Sequence, residues 1–98
     1  MKPRRVVVTG LGALTPIGNS IPEYWDSLII GKSGAGPITY FDTQYFKTKF
    51  ACELKNFDAL NYMDRKEMRK NDRFSQYAIV AAEEAINDSN INLEKINK

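Results

Sequence analysis

Val6-Val7-Val8-Thr9 is a β-branched run with no polar alternation, and it constrains the chain more than any other feature. A strand that is apolar on both faces suits the middle of an α/β sheet, with a neighbour along each edge and cover above and below. The run flows into Gly10-Leu11-Gly12-Ala13-Leu14-Thr15-Pro16-Ile17-Gly18, where nucleotide-binding folds place their phosphate cradle. The spacing argues against a cradle. A G-x-G-x-x-G fingerprint opens directly into a helix, so that phosphate meets the helix N-terminus. Here Gly18 comes six residues after Gly12, and proline at position 16 disfavours a helical start at Thr15. Gly31-Lys32-Ser33 lacks the earlier glycine of a Walker A loop. The glycines read instead as devices for a tight turn and close packing after a buried strand.

Ser20-Ile21-Pro22-Glu23 is a capping box, with proline tolerated in the first turn. Ile21, Trp25, Leu28 and Ile29 share one helical face and Gly31 supplies a left-handed stop, so a helix is predicted over roughly 21–30. Lys32 to Pro37 is rich in turn residues, Phe50 to Leu54 suits a short strand, and Asp58 to Tyr62 suits a helical turn. From Asp64 a second helix is expected, opened by Asp64-Arg65-Lys66-Glu67 and ended by Asn87-Asp88-Ser89-Asn90. Phe74, Tyr77, Ala78, Ala81, Ala82 and Ala85 form its apolar face, widened by Ile79, Val80 and Ile86. So broad an arc is buried on more than one side. One buried-type strand, one long helix and one short amphipathic helix do not close a core. The chain reads as the opening of a larger domain.

Composition narrows the chemistry. With 98 residues, 43% hydrophobic and 27% charged, the chain has the make-up of a globular protein. A net charge of +2 does not argue for nucleic acid, and no apolar run is long enough for a membrane span or a secretory signal, so a cytoplasmic location is expected. One cysteine and no histidine exclude a Ser-His-Asp or Cys-His site and an ordinary zinc site within these residues. Cys52 reads as a small buried hydrophobe in a strand, and Trp25 and the Tyr40–Phe50 aromatics read as core or interface packing.

The remaining feature is DRKEMRKNDR. Lys66 with Lys70, and Arg65 with Arg69 and Arg73, follow i, i+4 spacing and would form two basic rows on one side of a helix. A solvated face with internal ion pairs is one reading. A surface for an acidic partner is the other, and it gains weight because cations in the first turns of a helix oppose its dipole.

Taken together, RRVVVTGLGALTPIGNS, YFDTQYFKTKFACELKNFD and RKEMRKNDRFSQYAIVAAEEAINDS resemble, from Arg4 to about Ser89, the N-terminal quarter of the bacterial β-ketoacyl-acyl carrier protein synthase II family. The resemblance implies a thiolase-like α/β fold, of which residues 1–98 would be an incomplete first part of the N-terminal half. The complete fold has two pseudo-symmetric halves layered α-β-α-β-α and works as a homodimer. It implies an acyltransferase that condenses malonyl-acyl carrier protein with a growing acyl thioester, using an active-site cysteine and two histidines and no cofactor or metal. Those catalytic residues lie beyond residue 98 in the family, so none is expected in this chain, and Cys52 stands in the wrong part of the pattern to be the nucleophile. Lys66, Arg69 and Lys70 match the family's contacts to the acidic helix of acyl carrier protein, with Arg65 and Arg73 as further members of the cluster. A chain of this extent is expected to be inactive alone and to expose its strand and Ala-rich helix. A bare carrier-docking module and a small non-catalytic interaction protein are the alternatives.

Overall fold

Ser20 begins the first helix, α1 (Ile21–Ile30), in extended backbone geometry, and its hydroxyl accepts from the Glu23 N–H at 3.4 Å. The Glu23 carboxylate reaches one residue further back than a capping box requires and accepts from the Asn19 N–H at 2.8 Å. At the other end Gly31 takes φ +69°, where an L side chain is strained. Its N–H donates to Leu28 at 3.1 Å and the Lys32 N–H donates to Ser27 at 3.0 Å, the paired closure of a Schellman stop. The helix has the bounds its caps predict. The computed structural model that shows this describes residues 2–96.

The second expected helix is two helices. α2 (Arg65–Lys70) and α3 (Arg73–Ser89) meet at a corner where Asn71 is extended, φ −118° and ψ 134°. Short polar side chains compete with the helical backbone for its own hydrogen bonds. Asn71 Nδ2 donates to the Glu67 carbonyl at 2.8 Å. The buried Gln76 amide then reaches back from α3 and donates to the carbonyls of Met68 and Asn71 at 3.0 and 3.1 Å. Orphaned carbonyls at the end of α2 are thereby satisfied. α3 ends at Asn90, φ +55°, close to the polar stop in the sequence.

Among the described residues the sheet content is one antiparallel pair, β1 (Gly36–Pro37) with β2 (Phe50–Ala51), Gly36 opposite Ala51. It realises the start of the Phe50–Leu54 expectation. A 3-10 turn at Ala59–Asn61, capped by the Asp58 carboxylate at 3.0 Å from Leu60 N, fills the predicted turn at 58–62. A further 3-10 turn spans Leu93–Lys95.

Val6–Thr9 departs from the expected strand, although its exposure is what was expected of a chain of this extent. It is paired with nothing among the described residues, and Val6, Val7 and Val8 are 88%, 61% and 80% exposed. The reason is that a strand exists through its ladder, and no long strand is present among the described residues to supply one. The whole chain tells the same story. Only two apolar residues among those described, Ala59 and Val80, are buried. The accessible surface is 8406 Å², against about 5,700 Å² for a compact monomer of this size. The radius of gyration is 17.5 Å, where a closed domain of this length has about 13 Å. This is a partial α/β fold with its layers unfilled.

Candidate functional site

The scaffold that positions the site begins with the glycine loop. A Cβ at Gly10 would collide with the Ala85 carbonyl, and one at Gly12 with the Ala81 carbonyl. The loop therefore lies directly on the backbone of α3, in contact with Ala81, Ala85 and Ser89, which follow each other at single-turn spacing. Between the glycines and just after them, the backbone N–H of Leu11 donates to Asp88 at 3.0 Å and that of Ala13 to Glu84 at 2.9 Å. The second oxygen of Glu84 accepts from Ile21 N–H at 2.9 Å, in the first turn of α1. One carboxylate thus ties the loop, α1 and α3 together. Glu84 and Asp88 were not legible as functional positions. Their signal was a pair of carboxylates at i, i+4 beside a stripe of small residues, opposite Gly-x-Gly.

The packed face of α3 is narrower than the expected arc, keeping Tyr77, Val80, Ala81 and Ala85 and adding Gln76 and Glu84. Phe74, Ala78 and Ala82 are exposed.

α2 is the basic element. The Asp64 carboxylate caps it, accepting from Glu67 N–H at 2.7 Å. Met68 is its inward residue and lines a cavity of about 490 Å³ beside Phe57, Ala59 and Tyr77. Arg65, Lys66, Arg69 and Lys70 are all exposed. Lys66, Arg69 and Lys70, at i, i+3 and i+4, share one face. Among the described residues the single ion pair is Lys70 with Glu67, at 4.0 Å and on the surface, where such a pair contributes little. The structure thus brings together the three cations the sequence singled out.

Arg73 does not join them. The Asn71-Asp72 corner cuts the Arg65–Arg69–Arg73 row and places Arg73 on α3. Its guanidinium lies 4.1 Å from the centre of the Tyr40 ring, a cation–π contact that ties the aromatic 40–46 segment to α3. Beside it, burial and the neighbouring Tyr40 phenol raise the Tyr77 pKa above its ordinary 10.0, against the opposing charge of Arg73. A raised phenol pKa favours the folded state fully below the ordinary value, and that contribution is lost as pH rises through the folded value. In a spectrophotometric titration of the tyrosines, Tyr77→Phe should remove a component that ionises above the ordinary phenol value. An unchanged alkaline limb would contradict this.

Two other expectations need correction. Cys52 is an exposed free thiol, because β2 stops at Ala51 and nothing packs over the next residue. Trp25 is 60% exposed, and Tyr40, Phe41, Tyr45, Phe46 and Phe50 are exposed as well, so they do not form a core, and of core and interface packing only the latter is left. Among the described residues no cluster of histidine, cysteine or carboxylate side chains could hold a metal, and no helix is long and apolar enough to cross a membrane.

Comparison with known proteins settles the family. The sequence profile of the beta-ketoacyl synthase N-terminal domain matches residues 3–98. The chain belongs to the beta-ketoacyl synthase family. The chain is 46% identical over 97 residues to a 3-oxoacyl-[acyl-carrier-protein] synthase 2 of Synechocystis, a match covering 99% of the chain and 23% of that relative. Among solved structures it resembles the ishigamide ketosynthase/chain length factor, with a TM-score of 0.85, 37% identity and coverage of 97% of this chain and 24% of that chain. It also resembles a ketosynthase solved in complex with its type II polyketide acyl-carrier protein, with a TM-score of 0.68, 30% identity and coverage of 93% and 23%. The chain thus spans under a quarter of the length of these relatives. Its architecture is a partial thiolase-like α/β fold, as the resemblance implied.

Proposed function

We propose that residues 1–98 are the carrier-protein-facing N-terminal segment of a β-ketoacyl-acyl carrier protein synthase. The whole enzyme, a cytoplasmic homodimer in this reading, elongates fatty acids by decarboxylative Claisen condensation of malonyl and acyl groups borne on acyl carrier protein. A cysteine nucleophile takes the acyl group, and histidines assist decarboxylation and stabilise the developing oxyanion. This chain has no histidine to activate a thiol, and in this reading the exposed Cys52 is not that nucleophile. It therefore provides no catalytic side chain and does not turn over alone.

The role of these residues is docking. Lys66, Arg69 and Lys70 would meet the acidic helix of the carrier protein, with Arg65 at the flank and Arg73 held back on Tyr40. The observation that carries this reading is the shared exposed face of those three cations, with only the weak Glu67 contact to compete. Complementary charge of this kind steers encounter and is screened by salt.

Titration of the chain with acyl carrier protein tests the proposal. Binding should weaken several-fold from low salt to about 0.15 M, where the screening length falls to ~8 Å. Absence of binding, or affinity indifferent to salt, would overturn it.

A further inference from the structure

Lys55 lies just after β2, before Asn56 at φ +57°. Its ammonium donates to the carbonyl oxygens of Gly34 at 2.7 Å, Glu53 at 2.9 Å and Pro16 at 3.2 Å. An ammonium has three donors, and all three are used. The acceptors come from three separate stretches: the Thr15–Gly18 turn, the loop after α1 and the segment leaving β2. The Lys55 carbonyl in turn accepts from Asn19 Nδ2 at 2.8 Å, which fastens the same corner a second time.

The partners are neutral dipoles. The nearest carboxylate by sequence, Glu53, is turned to Thr39, whose N–H and hydroxyl donate to it at 3.1 and 3.0 Å. The corner is also built for close approach, since a Cβ at Gly34 would come within 2.6 Å of the Pro16 ring. Backbone carbonyls converging on one positive centre are how proteins replace the hydration shell of an alkali ion. We infer that Lys55, exposed at the surface, is a built-in monovalent cation seated on a three-carbonyl rim, and that the rim, once the side chain is removed, takes a potassium or ammonium ion. This inference is independent of carrier docking.

Two measurements on the full chain test it. In site-resolved acylation with an amine-reactive ester, Lys55 should react about tenfold more slowly than Lys47 and Lys66, since its ammonium must first leave its acceptors. Equal rates would overturn the inference. In Lys55→Ala, tryptic cleavage after Lys32 should accelerate about tenfold as the corner opens. Potassium or ammonium chloride should restore resistance, while tetramethylammonium chloride at equal ionic strength should not. Failure of the small cations to restore it, or equal restoration by the large one, would overturn the cation site.

Discussion

Gly12→Ala should lift the glycine loop off α3 and destabilise the fold by about 3 kcal/mol, at the upper end for overpacking because the obstacle is backbone. The new methyl group has nowhere to go: the Ala81 carbonyl belongs to the helix itself, and no rotamer change can move it. Displacing the loop also breaks the Leu11 and Ala13 hydrogen bonds to Asp88 and Glu84. Amide exchange at Leu11 and Ala13 reads the effect locally, and a denaturant midpoint reads it globally. Gly36→Ala is the control, since nothing lies within 4 Å of a Cβ built there. Equal behaviour of the two variants would show that the loop does not depend on close approach.

The second large effect belongs to α2. Reversing Lys66, Arg69 and Lys70 to glutamate should weaken carrier-protein binding by at least ~100-fold, because three favourable contacts become repulsive at about 1 kcal/mol each or more. All three are exposed and α2 has no buried residue, so the helix should survive the change. Reversal of Lys47 and Arg4, exposed elsewhere, should leave affinity within about twofold once net charge is allowed for. A triple variant that binds like its parent would remove α2 from the interface.

What could be read in the sequence, and what could not, divides by the range of the interaction. Ser20, Gly31, Asp58 and Asp64 bond to atoms within five residues of themselves or of their caps, so the α1 bounds, the 3-10 turn and the start of α2 were legible. The α2–α3 corner was not, because Gln76 reaches back to Met68 across it. Of the face that α3 buries, Tyr77, Val80, Ala81 and Ala85 were legible, whereas the anchoring roles of Glu84 and Asp88 were not, because their partners lie 63 to 77 residues away. Val6–Thr9 was legible as a strand sequence, but strand formation requires a ladder that the described residues do not contain. Of the candidate site, the basic rows were legible from i, i+4 spacing, and the family resemblance singled out Lys66, Arg69 and Lys70 within them. Arg73 was misjudged because periodicity assumes an unbroken helix.

The excess surface has a physical consequence for any experiment. Val6 to Val8, Ile29, Ile30 and Phe74 form apolar surface without cover among the described residues, so self-association competes with carrier binding as concentration rises. Binding is best measured where the two can be separated residue by residue. Hydrogen–deuterium exchange of the chain, with and without acyl carrier protein, does this directly. Docking through α2 predicts slowed exchange at Arg65–Lys70 on adding carrier protein, with Val6–Thr9 unchanged. Slowed exchange confined to Val6–Thr9 or the Tyr40–Phe50 segment, with α2 unaffected, would contradict it.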